Sequence, residues 1–249
     1  LDNHLDEPVG ESTDRQGRAP RCQENRDTIA TLAINPHRSP DMTTSSPSPR
    51  PLQGLRVLEL GTMITAPLAC MQMAHEGADV IKVENPKGGD PFRVFRGGFY
   101  SPNFMAYNLG KRSICLNLQG EAGRSVFRKL LDRADILVEN YRPGVLDRLG
   151  FGAEVLRRDW PRLIHCSITG FGATGPYSSR PAFDTIGLAL SGIAASQLDP
   201  EDPQIAGPTV SDYVTGLYAC NGILTALHER ERTGVGRRVE VNLLECSIA

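Results

Sequence analysis

From Leu52 onward the sequence predicts an α/β protein, an open parallel sheet with flanking helices. Two observations carry this prediction. Short β-branched runs alternate with stretches whose apolar residues recur at three- and four-residue spacing, the pattern of successive βαβ units. Several of those runs are apolar enough to be strands buried or half-buried beneath covering helices.

The first run, Leu55 to Leu60, is followed by Gly61 to Pro67, a turn that opens a helix over Ala66 to Glu76. Asp79 to Glu84 is the second strand. Ser113 to Leu118 is a strand at an edge or beyond, and Glu121 to Arg133 is a crossover helix with Val126, Leu130, Leu131 and Ala134 on one face. Asp135 to Glu139 and Arg162 to Ile168 are further core strands. Phe183 to Gly192 reads as an apolar helix headed by Asp184. Gly207 to Asp212 leads into a long helix marked by Val214, Leu217, Leu224 and Leu227 and closed by Gly234. Arg237 to Leu243 is a second edge-type strand. The architecture is thus Rossmann-like in outline.

Residues 1–50 are rich in Asp, Arg, Asn, Ser and Pro with little apolar periodicity, and are expected to be a disordered extension. The first methionine is Met42, the expected natural start. Residues 51–249 form the folded domain, which stops at an apolar segment after a strand and is expected to be incomplete at its C-terminal end.

With 27 basic and 29 acidic side chains and a net charge of −2, no one-signed field gathers nucleic acid or an anionic membrane. No apolar run reaches the ~20 residues of a membrane span, and the first 30 residues are too charged for a secretory signal. The six cysteines lack C-x-x-C pairing or a metal-ligand spacing and read as buried thiols of a cytoplasmic protein.

No G-x-G-x-x-G, P-loop, G-x-S-x-G elbow or H-E-x-x-H pattern occurs. Gly61 to Pro67 occupies the place where α/β proteins bind phosphates, and an ordinary strand-to-helix turn fits it as well. Lys111, Arg112, Arg142 and Arg148 could jointly hold a phosphorylated ligand or be solvated charge. Gly170 to Pro176 is a permissive loop. His75 and His228 fall in helical stretches and His165 in a strand, none in a catalytic setting. Asp184 reads as a helix cap. Asp212, three residues after Thr209, would complete a capping box, and the same helix start suits a nucleophilic carboxylate.

Leu52 to Leu60, Ala66-Pro67, Gly77 to Glu84, Gly89-Asp90-Pro91, Asn108 with Lys111 to Ile114, Val138-Glu139-Asn140, Arg142-Pro143-Gly144, Leu149-Gly150 and Thr233 to Gly236 form a specific series. In order and spacing it resembles the class III CoA-transferase family, of formyl-CoA transferase and carnitine CoA-transferase type, across residues 52–249.

That resemblance implies that Asp212 is the nucleophile. It would attack an acyl-CoA to give an aspartyl-acyl anhydride and then an aspartyl-CoA thioester, which a carboxylic acid acceptor converts to the new acyl-CoA. It implies no permanently bound cofactor, with coenzyme A or acyl-CoA as substrate. The CoA contacts it implies are Ile64 and Thr65, then Leu116, Asn117, Leu118 and Gln119, then Asn140, Tyr141 and Arg148, and the stretch Ala182, Phe183, Asp184 and Thr185. Arg148 would hold a phosphate. Asn85 stands where the family commonly has Arg.

Family members continue into a smaller second domain and form interlocked dimers, so a homodimer is expected of the full-length protein. Two alternatives are an α-methylacyl-CoA racemase-like isomerase and a silent CoA-binding or dimerising fragment. The racemase needs a histidine where Phe183 stands, and a phenyl ring moves no proton.

Overall fold

The computed structural model describes residues 31–33, 49–95, 100–199, 201–202, 204 and 207–249. Its centre is a seven-stranded sheet. Strands β2 (Arg56–Glu59), β3 (Asp79–Glu84), β4 (Arg112–Cys115), β5 (Ile136–Glu139), β6 (Ile164–Thr169) and β7 (Arg238–Asn242) are mutually parallel, in the order β4-β3-β2-β5-β6-β7. The predicted α/β class and parallel sheet are therefore observed. A short strand β1 (Thr31–Ala33) adds antiparallel to the outer side of β4. This differs from the expectation of no regular structure over residues 1–50, at those three residues. The cause is the row of open backbone groups that an edge strand presents. Residues 1–30 and 34–48, Met42 included, lie outside the described residues. Of the two expected edge strands, β7 is at the edge, whereas β4 is covered by β1.

Alternation along each strand explains why both faces are covered. Val57, Val80, Ile136, Val138, Ile164 and Cys166 face α1 (Thr65–His75) and α8 (Val210–Thr233) in one core. Leu58, Ile81, Val83 and Leu137 face the opposite core, with α3 (Glu121–Leu131) and α5 (Ala153–Asp159). On α3, Leu131 is buried while Val126 and Leu130 are only partly covered, and the most buried side chain is Phe127, edge-on to Phe151 at 4.8 Å. Burying such a ring contributes about 2–3 kcal/mol.

The stripe predicted for α8 is corrected. Leu217 and Leu224 point outward, 50% and 43% exposed. The inward face is made of Gly216, Ala219, Cys220, Ile223, Ala226 and Leu227. Small residues are needed because α8 lies close on α1: a Cβ at Gly216 would stand 2.9 Å from the carbonyl oxygen of Thr65. The predicted stop holds, since Gly234 is left-handed at φ 74° and its N–H donates to the Arg230 carbonyl at 2.8 Å.

Chain order along the sheet steps outward from β2 to β3 and β4, then returns beside β2 as β5, β6 and β7. The loops after β2 and β5 consequently diverge, and a crevice opens between them at the strands' carboxyl ends. Among the described residues no helix is long and apolar enough to cross a membrane.

Candidate active site

That crevice is a cleft of about 210 Å³. One wall is the loop after β2, Thr62 to Thr65, and the next is the segment Asn140 to Pro143 after β5. Arg180 to Phe183, leading into α6 (Asp184–Ser191), form the third, with Asp212 of α8 behind them. The charged side chains lining it are Arg142, Arg180 and Asp212. Arg180 stacks on the Tyr177 ring at 4.2 Å.

The first turn of α8 differs from the capping box expected of it. Thr209 is the N-cap, but its side chain makes no cap hydrogen bond. The acceptor comes instead from α6: the N–H of Asp212 donates to Asp184 Oδ1 at 3.1 Å. Asp184 is thus a cap, as its sequence setting suggested, but of a different helix, since Phe183 holds the N-cap position of α6. The two helices approach closely enough for this because Gly187 lies against Ser211, with no room for a Cβ.

This arrangement has an electrostatic consequence. Asp212 is half-buried, and burial first, then the like charge of Asp184, push its carboxyl up to about 7. Burial also raises Asp184, against the hydrogen bonds from the backbone of Asp212 and Ser211. Asp212 itself lies in the first turn of α8, near the positive end of the helix, but the backbone N–H groups there donate to Asp184. Asp212 keeps the basicity that burial gives it.

The loop walls are fixed by side chains set back from the cleft. The Asn140 amide accepts the Thr62 N–H at 2.9 Å and donates to the Thr62 carbonyl at 2.8 Å and to Thr65 Oγ1 at 3.0 Å. Glu139 accepts the Tyr141 N–H at 2.7 Å. Tyr213, the neighbour of Asp212, receives a hydrogen bond from Tyr107 of α2 (Pro102–Asn108) at 2.9 Å, tying the start of α8 to a third helix.

Of the residues expected to touch CoA, Ile64, Thr65, Asn140, Tyr141, Ala182 and Phe183 line the cleft together with Asp212. Asp184 stands directly behind. Leu116, Asn117, Leu118 and Gln119 follow β4 on the same edge of the sheet but outside the cleft, with Leu116 and Leu118 turned into the core. Arg148, at the end of α4 (Val145–Arg148), is exposed and also outside it.

Sequence reasoning missed Met63, Arg180 and the buried charges beneath the loop, Glu59, Lys82 and Asp90. A lysine inside the apolar run Asp79 to Glu84 was the available signal. Among the described residues no group of His, Cys, Asp and Glu could hold a metal ion. Cys70, Cys166, Cys220 and Cys246 are buried, as expected of them, whereas Cys115 at the end of β4 is only half-buried.

The family model of CoA-transferase family III matches residues 52–249. The chain belongs to CoA-transferase family III. It is 43% identical over 202 residues to the succinyl-CoA–L-malate CoA-transferase beta subunit of Chloroflexus aurantiacus, covering 78% of this chain and 49% of that protein. It is 40% identical over 211 residues to the acetyl-CoA:oxalate CoA-transferase of Acetobacter aceti, covering 83% and 54%. Among solved structures, a CAIB/BAIF family protein from Brucella suis superposes with a TM-score of 0.76 at 38% identity, over 81% of this chain and 55% of that one. The chain therefore spans about half the length of the family III relatives it matches. Every residue lining the cleft described above lies within the matched residues 52–249.

Proposed function

We propose that this chain carries the covalent centre of a CoA-transferase that moves coenzyme A from an acyl-CoA to a small carboxylic acid, with Asp212 as the nucleophile. The observation that carries the reading is a half-buried carboxylate, raised to about 7, at the back of the cleft of a family III chain.

An Asp212 oxygen attacks the thioester carbonyl of the donor; the C–S bond breaks and CoA leaves as thiolate, giving an acyl-aspartyl anhydride. The thiolate attacks the aspartyl carbonyl of that anhydride and releases the donor acid. The acceptor carboxylate attacks the resulting aspartyl-CoA thioester and expels CoA thiolate. The thiolate then attacks the acceptor's acyl carbon, and Asp212 is regenerated. A carboxylate serves as both nucleophile and leaving group, so each exchange is nearly balanced.

Basicity favours attack, and a value near 7 leaves a large fraction ionised at neutral pH. Backbone at Ile64, Thr65, Asn140 and Tyr141 holds the reacting end of CoA, while Leu116 to Gln119 and Arg148 take its nucleotide end. The reading places the full-length protein in the cytoplasm as a homodimer, with neither nucleic acid nor membrane as partner. It takes no resident cofactor. Phe183, 62% exposed at the mouth of the cleft, offers no proton and gives the racemase alternative nothing to use.

Electrospray mass measurement after incubation with a panel of acyl-CoAs, followed by hydroxylamine, tests the proposal. The expected result is a CoA-sized adduct that hydroxylamine removes and that Asp212→Ala cannot form. CoA binding without an adduct refutes covalent transfer.

A further inference from the structure

The loop between β2 and α1 holds a conformation that its sequence does not favour. Met63 has φ 64°, the one non-glycine residue with positive φ among the described residues, and side chains bearing a Cβ rarely adopt it. Its N–H points at the carboxylate of Asp90, 3.2 Å from each oxygen. Asp90 is fully buried and also receives Lys82 Nζ at 2.9 Å and the Phe92 N–H at 2.9 Å. Lys82 in turn reaches Glu59 at 2.6 Å and the carbonyl of Gly61, where the same loop begins, at 2.8 Å. Glu59 completes the group by pairing with Lys111 at 2.7 Å.

Four buried charges, two of each sign, therefore lie beneath one short loop. Stability alone explains them poorly, because well-packed apolar residues often replace buried ion pairs at no loss. Two of them, Asp90 and Lys82, bond the backbone of that loop directly. Asp90 and Lys82 fix Met63 N–H and the Gly61 carbonyl from below, while Asn140 fixes both backbone groups of Thr62 from the side. What they hold is the cleft wall that runs from Thr62 to Thr65, with Asp212 lining the same cleft.

We propose that Asp90 is a positioning residue for the reaction: its buried carboxylate keeps Met63 left-handed and so sets the backbone wall that presents a thioester to Asp212. The inference rests on the reading of Asp212 given above. Misplacement of a reacting group by ~1 Å costs up to about 100-fold in rate. Loss of this hold should thus slow chemistry far more than it weakens binding.

The test uses the full chain with Asp90→Asn, which retains an oxygen towards Met63, and Asp90→Ala, which does not. Amide hydrogen exchange at Met63 is expected to quicken at least about 10-fold in Asp90→Ala and less in Asp90→Asn. Adduct formation should slow about 10- to 100-fold in the same order, with CoA affinity changed less than about 3-fold. Glycine adopts positive φ freely, so in the Met63→Gly background the effect of Asp90→Asn on rate should shrink. This comparison needs only the milder variant if Asp90→Ala does not fold.

Unchanged exchange at Met63 overturns the proposal. So does an equal loss in both Asp90 variants that follows their melting temperatures, the mark of charge balance alone. A wild-type chain that binds acyl-CoA without forming an adduct sinks the reading of Asp212, and the exchange measurements still decide whether Asp90 holds Met63.

Discussion

Asp212→Asn should stabilise this protein, and by an amount that depends on pH. Burial and then Asp184 raise the Asp212 carboxyl from 3.8 to about 7. The folded chain therefore binds this proton more tightly than the unfolded chain by roughly 3 pKa units, each equivalent to about 1.4 kcal/mol. Below about pH 3 both states are largely protonated and little penalty arises. As pH climbs towards 7 the unfolded chain ionises while the folded chain retains its proton, so stability is lost progressively. The penalty integrates to about 2 kcal/mol at pH 5 and about 4 kcal/mol at pH 8. An amide of the same shape carries none of it. Urea denaturation of both proteins at the two pH values should show the variant's advantage growing by about 2.5 kcal/mol between them. Taking that difference cancels the packing effect of the amide and every titration the two proteins share. An advantage that is constant, or larger at pH 5, would mean that Asp212 ionises in the ordinary carboxylate range, and the electrostatic account of the site would fail.

Two further outcomes follow from the contact between α6 and α8. Asp184→Asn keeps an oxygen for the Asp212 N–H and removes the like charge, so the pH midpoint of adduct formation should move below 7, and an unmoved midpoint in the pH–rate profile would exclude Asp184 as a cause. Gly187→Ala would place a Cβ 2.1 Å from Ser211 Oγ and 3.0 Å from Ser211 Cβ. The helices must then part, at about 1–3 kcal/mol, and adduct formation should fall more than CoA affinity; wild-type stability and rate would show that the spacing is unimportant.

The central strands β2, β3 and β5 were legible because each is a compact run with apolar side chains on both faces, and the helix α3 because charged and apolar faces separate along it. The face of α8 was not. Leu217 and Leu224 have the spacing of a core stripe, yet the buried side is built from Gly216, Ala219, Cys220, Ile223, Ala226 and Leu227, with glycine where α1 leaves no room for a Cβ. Size complementarity between two helices cannot be read from either one. Asp212 was singled out through the family resemblance, since its position three residues after Thr209 fits a capping box as well as a nucleophile. Its partner was harder, because Asp184 lies at the head of its own helix and its capping contact is with a helix 28 residues further on.

A helix start has one positive end, and two carboxylates compete for it. Had Asp212 received the end of α8 through a capping box with Thr209, the dipole and the hydrogen bonds would have lowered its basicity and weakened it as a nucleophile. With Asp184 as acceptor, the helix is capped, the first turn is anchored to α6, and Asp212 sits beside a like charge in a half-buried cleft. Placing Asp212 there costs stability, and the same placement keeps the carboxylate basic. Neutralising Asp184 should therefore lower the basicity of Asp212 and relieve part of that cost in stability.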